Sequence, residues 1–325
     1  MTTTHVQTIG ENFAVQLEPL QSLLTYIEER SWLDLRTEPA VSPAFKDFHF
    51  CNVWRELDFT TRYEYIRTQG MSLRDRLKFI LLLRHTFSIP TAEMLYQGAT
   101  RSELAKFHQV HPIQSPAVML YPGKGHTAVS WAIRHRRHVN SRVDKFTNKL
   151  LEGKPKPTDV LNRIQKHFTG IGTFRAYEVF TSLTYHKDFP FNENDITVIG
   201  PGAVGPLRSL SLGRLSNGEL GPFLRHLRPF VLERLIERAH VHWIPPHWQL
   251  RSSDVRRFTV RTMEDCLCEW RKFQNVTGSL RARTRRRITS AEKLQRAGTA
   301  LRQARVCQDY LKPARAILRQ IKDGR

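Results

Sequence analysis

Long apolar runs are missing from this sequence. None exceeds five residues, as at Phe79–Leu83, whereas a helix that crosses a bilayer needs about twenty. A membrane span is therefore not expected, and Met1 to Phe13 lacks the apolar core of a secretory signal. Cysteine is scarce too: Cys51, Cys266, Cys268 and Cys307 form no CxxC pair. Cys266 and Cys268, two apart on a helix, point away from each other, so a thiolate metal site is not expected and a reducing compartment is. His135 and His138 lie three apart without a nearby carboxylate or cysteine to complete a metal set. The loop Pro122-Gly123-Lys124-Gly125 lacks the spacing of a Walker A phosphate loop. Acidic residues are the last shortage, 30 Asp and Glu against 51 Lys and Arg.

That shortage leaves a net charge of +21 and a pI near 10.4. Such an excess repels itself in a compact chain unless a polyanion relieves it, which makes nucleic acid the expected partner. With 325 residues the chain can bury a large core as one large domain or two intimate ones.

In order along the chain, Val15 to Arg30 carries Leu20, Leu23, Leu24 and Ile27 on one helical face. Pro39 and Pro43 mark a connection. Phe50 to Arg67 reads as a helix with Val53, Trp54 and Leu57 facing a core. Asn52, Arg55, Asp58 and Arg62 run along another strip, with both arginines in reach of Asp58. The strip is either a solvated ion-pair face or an arginine held by a carboxylate so that its fork presents to phosphate. Leu73 to Phe87 reads as a buried helix whose start, Arg74 to Lys78, is exposed. Arg84 follows five apolar residues, so it needs an anion, internal or bound, because burying it unpaired costs on the order of several kcal/mol.

Ala117 to Tyr121 reads as extended, and Lys124 in the loop behind it either touches a phosphate or sits on a plain turn. Thr127 to Leu151 is a long basic helix with Arg134, Arg136, Arg137, Arg142 and Lys145, and Gly153 to Pro157 is the best linker candidate. An amphipathic run (Val160, Leu161, Ile164, Phe168) then stops at Thr169-Gly170-Ile171-Gly172, and a second starts at Thr173. These are two short helices joined by a glycine turn, whose amides can face a phosphate or merely cap a helix. Gly200-Pro201-Gly202-Ala203 offers another set of amides at a helix start, or a packing turn, with Arg208 one turn further. Leu220 to His240 is an amphipathic helix, and His242 to Trp248 is an aromatic loop able to stack on a base or between helices. Glu264, Leu267, Cys268 and Arg271 share a helix face that Glu269 leaves. Arg283, Arg285 and Arg286 sit in an arginine cluster suited to phosphate, before a helical or partly disordered tail.

The stretch 158 to 203, which opens with this hairpin, resembles the helix-hairpin-helix of the DNA glycosylase superfamily. The ordered segments YIEERSWLDLR (26 to 36), FCNVWRELDFTTRYE (50 to 64), LKFILLLRHTF (77 to 87), FTGIGTFRAYEV with NDITVIGPGA, and EDCLCEWRKF (264 to 273) together resemble the alpha-glutamyl/putrescinyl-thymine pyrophosphorylases. That family consists of amino acid:DNA transferases known from phages and some fungi. The resemblance implies an all-α, two-lobed, helix-hairpin-helix glycosylase-like fold. It implies that 5-(pyrophosphoryloxymethyl)uracil in DNA is flipped out and its pyrophosphate displaced by a free amino acid or amine. Asp195, 23 residues beyond Gly172, takes the place of the glycosylase aspartate and would accept the amine's proton, with Glu269 as the second candidate. Asp195 is equally suited to a turn or N-cap.

Candidates for the pyrophosphate are Asn52, Arg55, Asp58, Arg62, Arg84, Lys124, Gly200, Gly202, Ala203 and Arg208. Those for the DNA backbone are Thr169, Gly170, Ile171, Gly172, Thr173, Arg175 and the arginine cluster. Thr173 and Phe174 stand where bifunctional glycosylases carry a lysine, so a Schiff-base lyase is not expected.

No protein metal site is announced, although Mg²⁺ could neutralise the pyrophosphate. Two other readings stay open: a monofunctional glycosylase and a noncatalytic DNA-binding module. The linear division reads as an N-terminal helical region (1 to 152), a hairpin lobe (153 to 280) and a basic tail (281 to 325), interleaved as one monomeric globule. The expected location is the cytoplasm, or the nucleus of a eukaryotic host.

Overall fold

The computed structural model describes residues 6–35, 42–48, 50–55, 58–110, 127–237, 258–278 and 309–322. Their elements are strands β1 (Val6–Ile9) and β2 (Phe13–Gln16), then helices α1 (Leu17–Leu35), α2 (Ala44–Asp47), α3 (Phe59–Thr68), α4 (Leu73–Thr86) and α5 (Ile89–Tyr96). Next come α6 (Arg101–Val110), α7 (Ala128–Leu150), α8 (Pro157–His167), α9 (Thr173–Thr184) and α10 (Pro201–Leu210). The last are α11 (Leu220–Glu237), α12 (Val260–Thr277) and α13 (Lys312–Lys322). The fold is all-α as expected, with one addition the periodicity did not show. Val6–Ile9 and Phe13–Gln16 pair antiparallel as a short hairpin, so Val15 lies on a strand and the first helix starts at Leu17. No described helix is long and apolar enough to cross a membrane.

The chain groups into two compact units, each made of two separate stretches: 1–58 with 192–289, and 59–191 with 290–325. The linear reading divided it at 152/153 and 280/281. Gly153 to Pro157 lies inside the second unit, connecting α7 to α8.

In the first unit α1, α10 and α11 surround α12. Leu20, Leu23, Leu24 and Ile27 are buried as their spacing required, and Trp270 is fully buried with its indole N–H on Ser22 Oγ at 3.2 Å. Tyr26, Phe45, Phe50 and Phe273 form an aromatic cluster with centroids 5.1–6.1 Å apart. In the second unit α4 packs against α5, α7 and α9. Ser72 caps α4 by accepting from Asp75 N, and Phe87 ends it in the left-handed region. Arg76, expected at the exposed start, is buried and paired with Asp188. α13 returns to this unit and lays Leu311, Ala314, Ile317, Leu318 and Ile321 against α3 and α5.

Candidate functional site

Residues 50–55 and 58, the described part of the segment, depart from the α-helix its spacing suggested. Among the described residues the helix begins only at Phe59, so Arg62 lies on α3 and Asn52, Arg55 and Asp58 lie on the irregular stretch before it. At Phe50 and Cys51 the backbone is met by side chains instead of by the i→i−4 ladder, and Asp58 N donates to Arg55 O (2.9 Å) in a tight turn. Arg30 donates to the carbonyls of Phe50 (3.2 Å) and Cys51 (3.1 Å) and to Asn52 Oδ1 (3.2 Å), while Cys51 N donates to Glu269 Oε2 (3.1 Å).

Arg55 finds a partner 210 residues away: its Nη1 is 2.9 Å from Asp265 Oδ2. Asp265 also takes Arg261 (2.8 Å), and Arg261 continues to Glu264 (2.5 Å). Glu264 Oε1 then accepts from Gly200 N at 3.0 Å. One chain of charge, Arg55–Asp265–Arg261–Glu264, therefore runs along α12 and ends on the first amide of the α10 turn. A second, Cys51 N–Glu269–Lys272, lies on the same helix. Burial, and after it Glu269, hold the Cys51 thiol well above its ordinary pKa.

This places the sequence candidates. The Gly200 amide is already occupied by a carboxylate. Gly202 serves close packing, because a Cβ there would lie 3.1 Å from Cys268 Cβ and run into its Sγ. Ala203 is fully buried, so this turn is a joint between α10 and α12. Glu269 is buried and engaged by Cys51 N and Lys272, which leaves no open carboxylate for a base. Asp195 is exposed and closes a turn: Oδ2 accepts from Asn192 N (2.7 Å) and Oδ1 from Asn192 Nδ2 (3.0 Å). Its neighbours dock α12, Asn194 Oδ1 accepting from Val260 N (2.9 Å) and Glu193 from Thr259 Oγ1 (2.8 Å). Arg208 is exposed and donates to Asn217 (2.9 Å). Gly202→Ala is expected to cost about 1–3 kcal/mol by overpacking, and Cys268→Gly in the same chain should recover part of it. Urea midpoints of the two variants measure this; equal midpoints would mean the joint is loose.

The second unit holds a separate hub. Arg84, 2 % exposed, lies between Glu64 at 1 % and Glu178 at 3 %. It is 3.0 Å from Glu64, 3.4 Å from Glu178, and donates to Ser182 Oγ at 2.9 Å. Its anion is thus internal. Two carboxylates face one cation, and burial raises the Glu64 pKa even with Arg84 opposing. Arg62 is half-buried, and desolvation lowers its pKa to about 10.

The glycine turn is built as expected. α8 and α9 pack on each other, Gly170 takes φ +81°, which favours glycine, and Ile171 is buried beneath it. Gly172 is the α9 N-cap with no side chain over the first amides, and Gly172, Thr173 and Phe174 are exposed. Thr169 N donates to His138 Nε2 (2.9 Å), and Arg175 turns back to Gly170 O (3.0 Å) and over the Trp131 ring. Under the turn, His85 is stacked between Trp131 (3.7 Å) and His135 (3.4 Å).

Lys124, the aromatic loop 242 to 248, and Arg283, Arg285 and Arg286 lie outside the described residues. Among the described residues no group of three His, Cys, Asp or Glu could hold a metal ion. The partners that spacing alone missed are Arg30, Asp265, Arg261 and Lys272. Arg30, Asp265 and Lys272 were signalled only by membership in the ordered segments, which converge on α12 in one unit and on Arg84 in the other; Arg261 lies outside the segments and had no signal.

A family model described as "5-hmdU DNA kinase, helical domain" matches residues 21–280. No curated protein and no solved structure matches the chain.

Proposed function

The chain belongs to the family of the 5-hmdU DNA kinase helical domain, and from that premise we propose that it is an enzyme of thymine hypermodification acting on DNA. In the finer reading, it displaces pyrophosphate from 5-(pyrophosphoryloxymethyl)uracil with the amine of an amino acid or related amine. The methylene carbon loses its bond to the pyrophosphate oxygen and gains one to nitrogen; the ammonium proton goes to a protein base or to water. The observation that carries the action on DNA is that the match spans all the ordered segments, Tyr26 to Phe273; the finer reading is supported by the resemblance of those segments to the pyrophosphorylases.

Within the proposal, Arg55 is the arginine best prepared for pyrophosphate. Asp265 fixes its guanidinium, and its side chain is still 12 % exposed. Asp195, exposed at the end of its turn, accepts the ammonium proton. The α9 amides at Gly172 to Phe174 hold the DNA backbone while the base is extruded, a cost of about a few kcal/mol.

DNA bearing the pyrophosphorylated base is incubated with a panel of amino acids and amines, with and without Mg²⁺, and its nucleosides are weighed. The expected result is a mass gain matching one amine and an equivalent of free pyrophosphate. Neither product with any amine would end the transferase reading. Free base and an abasic site would establish the glycosylase, which the hairpin and Asp195 could equally serve.

A further inference from the structure

α7 carries Arg134, His138, Arg142, Lys145 and Lys149 at steps of three or four residues, which places them within a narrow sector of the helix. Arg134, Arg142, Lys145 and Lys149 are exposed. The opposite face, with Ala132, Val139, Val143, Phe146 and Leu150, is buried, so this sector cannot roll inward. It is fastened to the glycine turn at two points: His138 Nε2 accepts from Thr169 N, and Arg142 Nη1 donates to His167 O at 3.2 Å. Lys166 is exposed on α8 beside them. Among the described residues no carboxylate pairs with Lys145 or Lys149, whereas Asp144, off the sector, is taken by Arg74. A solvated charged face would interleave both signs.

We infer that this ridge is the track along which the second unit engages the phosphates of duplex DNA, continuous with the hairpin turn. The inference rests on the proposed action on DNA and deepens it by naming the surface. From Arg134 to Lys149 the ridge is about 22 Å long at 1.5 Å per residue, enough to face several phosphates, whose axial spacing is about 3.4 Å per strand. A lipid surface is a poorer fit, because an interfacial helix inserts apolar side chains and the exposed residues of this sector are polar or cationic. The ridge reads no base edge, so it supplies affinity and register independent of sequence.

The test is equilibrium binding of the full chain to unmodified duplex over a range of salt. The variants are Arg142→Ala/Lys145→Ala/Lys149→Ala and the charge-conserving Arg142→Lys/Lys145→Arg/Lys149→Arg. Each cation engaged contributes about 0.9 to the slope of log K against log salt. The alanine triple should therefore lose about 2.7 from that slope, and the charge-conserving triple should keep it. KM for modified DNA should rise in the first and stay near the wild-type value in the second. Circular dichroism melts show that each variant is folded. If wild type binds duplex and the folded alanine triple keeps its slope, the ridge assignment is overturned and action on DNA survives. If wild type shows no salt-dependent binding to duplex, action on DNA falls, and the ridge with it.

Discussion

Replacing Arg84 by methionine is expected to destabilise the second unit by about 3–5 kcal/mol, the range for removing one partner of a buried ion pair. Methionine roughly fills the aliphatic volume, so the loss is electrostatic. Glu64 and Glu178 would face each other almost without solvent, and the stable answer is to protonate one. The deficit should accordingly shrink as pH falls from 7 towards the ordinary carboxyl range near about 4.3, because a group whose pKa is raised in the folded state takes up its proton before the unfolded chain does. Adding Glu64→Gln and Glu178→Gln should recover most of the loss, because a neutral hub has no stranded charge. Urea midpoints at pH 7 and pH 5 read all three results. A midpoint for Arg84→Met matching wild type at pH 7 would show that the hub carries no net stability.

Acid should weaken the same unit through its histidines. Burial lowers the pKa of His85 far below 6.5, with His135 and Arg175 adding to it; His135 falls to about 3 and His186 to about 4, each chiefly by burial. A group depressed in the folded state is protonated first in the unfolded chain. Its stability contribution is therefore present above the unfolded pKa of about 6.5 and lost as pH falls below it. Glu64 has the opposite sign: its raised pKa gives stability at low pH that is lost as pH rises. His167 is lowered as well, burial first, so the depressed histidines outnumber Glu64 and the unfolded state binds the more protons as pH falls below about 6.5. The measurement is hydrogen exchange of α4, α7 and α9 at pH 7 and pH 5, with His85→Phe removing one proton from the linkage. Protection of these helices that does not change between the two pH values would refute the assignment of neutral buried imidazoles.

Much of the helical scaffold could be read from periodicity, because a buried face repeats locally. The α1 face Leu20, Leu23, Leu24 and Ile27, the long α7 and the glycine-joined pair α8 and α9 all appeared in the sequence, and all are built that way. Partner choice was not readable. Spacing put Arg55 within reach of Asp58, three residues on, but nothing local signals Asp265 at a separation of 210 residues. The start of the 50 to 67 segment misled for the same reason: its apolar residues have helical spacing, yet Arg30 and Glu269 claim backbone groups of Phe50 and Cys51 that a helix would use. The Gly200 to Ala203 turn offered amides, and only the folded chain shows Glu264 occupying the first of them. The ordered segments carried part of that information indirectly, since Arg30, Arg55, Arg84, Glu64, Glu178, Glu264, Asp265, Glu269 and Lys272 all lie in them, although Arg261 does not.

The path of the chain through its two units also sets the order in which a ribosome can complete them. α1 packs on α12, whose first residue is Val260, so the apolar face of α1 waits for more than two hundred residues to be made. At about 5–20 residues per second that is about 10–50 s. The second unit can begin folding as α3 to α9 emerge, yet the surface that α13 covers on α3 and α5 stays bare until Leu311 to Ile321 leave the tunnel. During synthesis both units therefore pass through a state with core residues open to solvent, the period when a nascent chain is most exposed to aggregation or to capture by chaperones.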